Sequence, residues 1–235
     1  MPSGLKRTAL FEEHLLLGAR TGPSSGWEVP LEFEGEEVEV SAARESAGIF
    51  DCCDMTQLRI FGVAAKDSLA DIFGSVIDGL DEVGQCAGSP FAGAGGEGPL
   101  ASLILRSGDL EYMILVESAQ APSLEAQLAA AFPPEVEFAN ESERTGLVRI
   151  RGALASATLR ELAGREWEPP PPMWLYAAAL DSVMVLVACD SEAGDSFFLF
   201  CHVSNVVALW RLLLSFPEVT PCGLRAAEVL RSEGR

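Results

Sequence analysis

Positive charge is scarce in this 235-residue sequence: sixteen Lys and Arg stand against thirty-five Asp and Glu, a net charge of −19. That balance repels a phosphate backbone and an anionic membrane surface, so neither nucleic acid nor membrane is an expected partner. Histidine is scarcer still. The two present, His14 and His202, lie far apart in sequence and leave little material for a histidine-rich metal site or a paired-histidine catalyst. The six cysteines, at 52, 53, 86, 189, 201 and 222, form no CxxC pair and no metal-finger spacing. They read as reduced, mostly buried thiols. Long hydrophobic runs are missing too. Asp181 interrupts MWLYAAALDSVMVLVAC well short of a spanning helix, and MPSGLKRTALFEEHLLLG has no uninterrupted apolar core like that of a signal peptide. A soluble, cytoplasmic protein is expected. Neither GKS/T nor GxGxxG occurs, so the glycine-rich GAGGEG at 93–98, which precedes a strand, fits a loop better than a phosphate cradle.

Apolar residues make up 49% of the chain and charged ones 22%, which suffices for the core of one large domain or two small ones. The order of elements repeats once. In the first half QLRIFG (57–62) alternates like a strand, AAKDSLADIF (64–73) has helical spacing, and LASLILRSGDLEYMILVE makes a hairpin about Ser107-Gly108-Asp109. PSLEAQLAAAF (122–132) follows as a helix with Pro122 and Ser123 as start signals. In the second half TGLVRIRG (145–152) is a strand, ALASATLRELAG (153–164) a helix, and WLYAAAL with SVMVLVAC a hairpin around Asp181. FFLFCHV adds a strand, and SNVVALWRLLLSF (204–216) is a helix capped by Ser204. This is the order of two split β-α-β, ferredoxin-like units, an α+β fold with mostly antiparallel sheets. The expected division is an N-terminal segment, 1–50, packing with the second unit, a first unit at 51–140 and a second at 141–235. The N-terminal segment opens with a helix, TALFEEHLLLGAR, and PCGLRAAEVLRSEGR starts another.

Several residues are candidates for binding. Asp51 and Asp54 flank the adjacent Cys52 and Cys53 just ahead of a strand, where either a solvated turn or a binding role fits. Met55 suits a core gap or a ligand wall, and Trp27 in SGWEVP either pins the N-terminal segment or lines a cavity. Arg231 offers an anion clamp or a surface ion pair.

Four collinear segments then carry a family resemblance. LKRTALFEEHLLLGARTGPSSGWEVPLEF, AARESAGIFDCCDMTQLRIFG, TGLVRIRGALASATLREL and TPCGLRAAEVLRSEG, spanning Leu5 to Gly234, resemble the glycine cleavage system T-protein, a tetrahydrofolate-dependent aminomethyltransferase. The resemblance implies a folate-binding fold and one-carbon transfer from a lipoyl arm to tetrahydrofolate. It also implies folate contacts at Trp27, Asp54, Met55, Ala101, Ser102, Glu117 and Arg231. The departures are chemical. Ala101 and Ser102 stand at the family's acidic pair, Asp54 at a histidine, Glu117 at an asparagine and Phe198 at a glutamate. Alanine carries no proton and serine is no carboxylate at neutral pH, so the transfer chemistry is expected to be impaired or lost. The family continues into a barrel-like domain that lies beyond Arg235. The surface it would cover, around AALDSVM and FFLFCHV, is where a protein partner or a second copy would dock. Two expectations follow, a folate-binding aminomethyltransferase or a non-catalytic ligand-binding or scaffold subunit of a larger complex; the branch of the family involved in iron–sulfur cluster maintenance ranks last, because nothing like its KGCYxGQE motif occurs around ESERTGLVRI.

Overall fold

The computed structural model describes residues 4–91 and 100–233, with side chains at 4–88 and 103–233. A small N-terminal sheet holds β1 (Lys6–Arg7), then, after helix α1 (Phe11–Leu16), β2 (Arg20–Ser24) and β3 (Trp27–Glu32), in the order β1-β3-β2. Helix α2 (Glu36–Glu45) leads into β4 (Ala47–Asp51). The chain then crosses to β5 (Thr56–Phe61), α3 (Ala65–Phe73), α4 (Ser75–Asp78), β6 (Cys86–Phe91), β7 (Leu100–Gly108), β8 (Glu111–Val116), α5 (Ala121–Ala131) and β9 (Glu137–Asn140). These strands form an antiparallel five-stranded sheet, β6-β7-β8-β5-β9. From β10 (Thr145–Arg151) it continues through α6 (Ala155–Ala163), β11 (Leu175–Leu180), β12 (Val183–Cys189), β13 (Ser196–His202), α7 (Val206–Leu213), β14 (Val219–Cys222) and α8 (Leu224–Glu233). The second sheet is six-stranded, β11-β12-β13-β10-β4-β14, and β14 pairs with β4 in parallel. The fold is α+β with mostly antiparallel sheets.

Period-two alternation explains the layers. In β10, Val148 and Ile150 turn to one face, where Leu159 of α6 and Leu209, Trp210 and Leu213 of α7 bury them. In β5, Leu58 and Ile60 meet Leu69 of α3 and Leu124 and Leu128 of α5. The remaining faces of the two sheets pack on each other through Leu103, Leu105 and Leu115 on one side and Leu147, Phe198 and Phe200 on the other. Gly62 and Gly152 close β5 and β10 at equivalent points. Both have positive φ, +150° and +131°, and a Cβ would sit 2.2 Å from the Glu135 carbonyl oxygen at one and 2.3 Å from that of Ser46 at the other. Only glycine fits either turn.

Three local expectations are corrected. The N-terminal helix is shorter than TALFEEHLLLGAR, because Gly18 at φ 76° ends it one residue after Leu17. Ser204 is not the cap of α7. A 3₁₀ turn at Val203–Asn205 intervenes, and His202 accepts from the Ser204 N–H at 3.3 Å. The apolar surface expected around AALDSVM and FFLFCHV is smaller than that: FFLFCHV is mostly buried, and the large apolar side chains exposed there are Met184, within AALDSVM, and Tyr176. Among the described residues no helix is long and apolar enough to cross a membrane.

Candidate ligand cavity beside the β4–β5 link

The link between β4 and β5 carries the chain from one sheet to the other, and it borders a cavity of about 940 Å³. One wall is the N-terminal sheet, with Lys6, Arg7, Thr8 and Trp27; the floor is Cys53, Met55 and Thr56; and Ser118 and Ala121 close it at the start of α5. Lys6 Nζ lies 5.4 Å from the centre of the Trp27 ring, while Arg7 Nε bonds Glu28 at 2.9 Å. Trp27 is therefore a wall residue. Met55 bridges two environments, since it also packs against the apolar cluster between the sheets.

Asp51 lies behind the floor. The sequence allowed it a solvated turn, but its side chain is 1% exposed. It is held there by donors from three segments. The Thr8 hydroxyl donates to Oδ2 at 2.6 Å, His14 Nε2 lies 2.8 Å from the same oxygen, and the Cys53 N–H donates to Oδ1 at 2.9 Å. Burial opposes ionisation, yet these contacts together hold the Asp51 carboxyl below its ordinary value. Thr8 and His14 were not singled out as site residues, although both stand at matching positions in LKRTALFEEH.

Asp54, Glu117 and Arg231 form a second group beside the floor. Arg231 on α8 pairs with Glu117, just past β8, at 3.0 Å. Burial pushes the Asp54 carboxyl up to about 7, the negative charges of Asp51 and Glu117 add to the effect, and Arg231 opposes it. Ser118 further ties this corner together by donating to the Asp54 carbonyl and lying 3.3 Å from the Thr56 hydroxyl. Near neutral pH, Asp54 can hold a proton or release it.

Of the seven residues implied by the resemblance, only Trp27 and Met55 line the cavity. Asp54 and Glu117 are chain neighbours of the lining residues Met55 and Ser118, and Arg231 pairs with Glu117, so these three form a group of their own outside the lining. The β7 backbone sets Ala101 opposite Pro90 and Ser102 opposite Ser89 of β6. Their side chains, and the glycine-rich loop at 93–98, lie outside the described residues. Phe198 is buried between the sheets with the Arg149 guanidinium 5.0 Å from its ring centre, so an aromatic core contact stands where the resemblance implies a glutamate. Burial raises the thiols of all six cysteines, Cys86 to about 12 and Cys201 to about 11, which leaves them protonated and unreactive at neutral pH. Among the described residues no group of three or more His, Cys, Asp or Glu could hold a metal ion.

Comparison with known proteins follows the same layout. The model of the GCVT N-terminal domain matches residues 10–235. The chain belongs to this family. Its relatives include the aminomethyltransferases of Deinococcus deserti, 31% identical, and Bacillus licheniformis, 29% identical, each alignment covering 98% of this chain and 65% of the relative. The chain thus spans about 65% of the length of the curated relatives it matches. Among solved structures, the glycine cleavage system aminomethyltransferase T from Bartonella henselae superposes with a TM-score of 0.81 at 24% identity, covering 94% of this chain and 60% of that one. A chain of the heterotetrameric sarcosine oxidase from a Corynebacterium species follows with a TM-score of 0.55 at 18% identity, covering 77% of this chain and 89% of that one. At those identities the two structures establish the fold alone.

Proposed function

We propose that this family member is a reduced-folate-binding module in which aminomethyl transfer is impaired or lost. The observation that carries the reading is the cavity itself: about 940 Å³, walled by Lys6 and Trp27 and floored by Cys53, Met55 and Thr56. That volume suits a drug-sized heterocycle with a tail. Trp27 and Met55 supply apolar contact, Lys6 supplies a cation for a carboxylate, and the Ser118 and Thr56 hydroxyls supply polar contact. Ala101 and Ser102 remove the carboxylates that would assist proton transfer during the reaction. Binding without turnover is the expected outcome, in a soluble cytoplasmic protein. The test is a calorimetric titration with 5-formyltetrahydrofolate, followed by an aminomethyl-transfer assay. Saturable micromolar binding with negligible transfer supports the reading; absence of both heat and thermal shift at millimolar ligand refutes it.

A second reading, a scaffold subunit of a larger assembly, is favoured by the exposed Met184 and Tyr176 beside edge strand β11. The start of β11 is already bonded to Gly84 and Gln85, and the rest of its outer edge is where another chain would pair. A strict monomer at high concentration that retains folate binding would count against it.

A further inference from the structure

The cavity is assembled from separate pieces of chain, and those pieces converge on one buried carboxylate. Thr8, which lines the wall, gives its hydroxyl proton to Asp51 Oδ2 at 2.6 Å. Cys53, in the floor, gives its backbone N–H to Oδ1 at 2.9 Å. His14, on α1, approaches Oδ2 through Nε2 at 2.8 Å, and its side chain is 0% exposed. Asp51 ends β4, so the carboxylate sits at the point where the chain leaves one sheet for the other.

Stability alone is a weak reason for this arrangement. A buried polar pair seldom outperforms well-packed apolar side chains. His14 also leaves Nδ1 without a partner, with its ring edge-on to Phe33 at 5.7 Å and Trp210 at 5.3 Å. The residues have the composition of a nucleophilic triad but not its wiring. The Thr8 hydroxyl bonds the carboxylate rather than the imidazole, so the hydroxyl–imidazole–carboxylate order of a triad is not formed. What the carboxylate does is fix distances. Thr8 follows directly on β1, which pairs with β3 at Lys6 opposite Trp27, and Cys53 lies two residues before Met55.

We propose that Asp51, oriented by His14, is the positioning residue of the cavity: by joining Thr8 to Cys53 it sets the spacing between the Trp27 wall and the Met55 floor. The inference rests on reading that cavity as the ligand site, and the joint itself is measurable without any ligand.

Thr8→Val removes the hydroxyl and keeps the shape, and Thr8→Ser restores the hydroxyl. Hydrogen exchange and calorimetry with 5-formyltetrahydrofolate are measured on the full chain for both variants. In Thr8→Val, exchange at the Cys53 amide and across 4–9 rises about tenfold, exchange in β10 and β13 stays as in the wild type, and affinity falls about tenfold, the worth of one buried hydrogen bond. Thr8→Ser returns both readouts to wild-type values. Local exchange that does not change overturns the proposal, as does loosened exchange with unaltered affinity, which is the mark of a merely structural tether. Wild-type protein that binds no 5-formyltetrahydrofolate removes the ligand reading instead, and the exchange measurement then decides the joint by itself.

Discussion

Asp54 gives the sharpest quantitative test of the site. Its carboxyl is raised from 3.8 to about 7, first by burial and then by the charges of Asp51 and Glu117. In the unfolded chain it titrates near the lower value. Between about pH 4 and 7 the folded protein therefore holds a proton that the unfolded chain has released, and stability must fall as pH rises through that window and level off above it. A rise from 3.8 to about 7 corresponds to about 4 kcal/mol. Solvent and salt screen the part that comes from neighbouring charges, so about 2–4 kcal/mol is the working range. Asn keeps the shape of Asp and carries no charge at any pH. Asp54→Asn is thus expected to stabilise the protein at pH 8, raising Tm by about 5–15 °C for a chain of this size, and to change Tm by under about 3 °C at pH 4.5. Scanning calorimetry of both proteins across that range is the assay. A variant no more stable than the wild type at pH 8, or equally stabilised at both ends, refutes the account of Asp54 as a strained acid. Confirmation would mark it as a group retained at a cost to stability, a pattern typical of functional sites.

Two further substitutions, with one control, probe the frame of the fold. Glu39 is fully buried and accepts backbone N–H groups from Phe33, Glu34 and Gly35 at one oxygen and from Gly223 at the other, 2.6 to 3.2 Å away. Glu39→Gln turns one of those acceptors into a donor, so a loss of about 3–5 kcal/mol is expected in denaturant unfolding, and a loss below 1 kcal/mol would contradict the network. Gly62→Ala drives a Cβ to within 2.2 Å of the Glu135 carbonyl at a φ of +150°, and thermal melts are expected to show it to be several kcal/mol less stable, whereas Gly4→Ala, with nothing within 4 Å, leaves Tm unchanged.

What was legible in the sequence is what depends on neighbours along the chain. The alternation of TGLVRIR, the helical spacing of AAKDSLADIF and the turn residues at Ser107–Asp109 and Asp181 each encode their element locally, and β10, α3 and the two hairpins stand there. Strands whose pairing is remote were missed. AGIFD forms β4 because β10 and β14 flank it, and EFAN forms β9 because β5 recruits it. The site divides in the same way. Motif resemblance pointed to Asp54, Glu117 and Arg231, which meet although α8 lies far along the chain from β8. It could not reveal that Asp51 is buried, because the groups that make burial tolerable, Thr8 and His14, lie 43 and 37 residues away. Nor could it show that Phe198 would fill space between the sheets, since packing across two sheets leaves no signature in one strand.

The parallel pairing of β14 with β4 also bears on how the protein is made. The five-stranded sheet uses a continuous stretch, from Thr56 to Asn140, and can assemble as soon as that stretch clears the ribosome. The six-stranded sheet cannot. Its strand Ala47–Asp51 is synthesised early, yet its neighbours are Thr145–Arg151 and Val219–Cys222, so at about 5–20 residues per second it waits many seconds for both. During that interval β4 has no paired strand, Ile49 lacks the later helices that bury it, and only the earlier helix Glu36–Glu45, through Val40 and Ala43, is there to pack against Phe50.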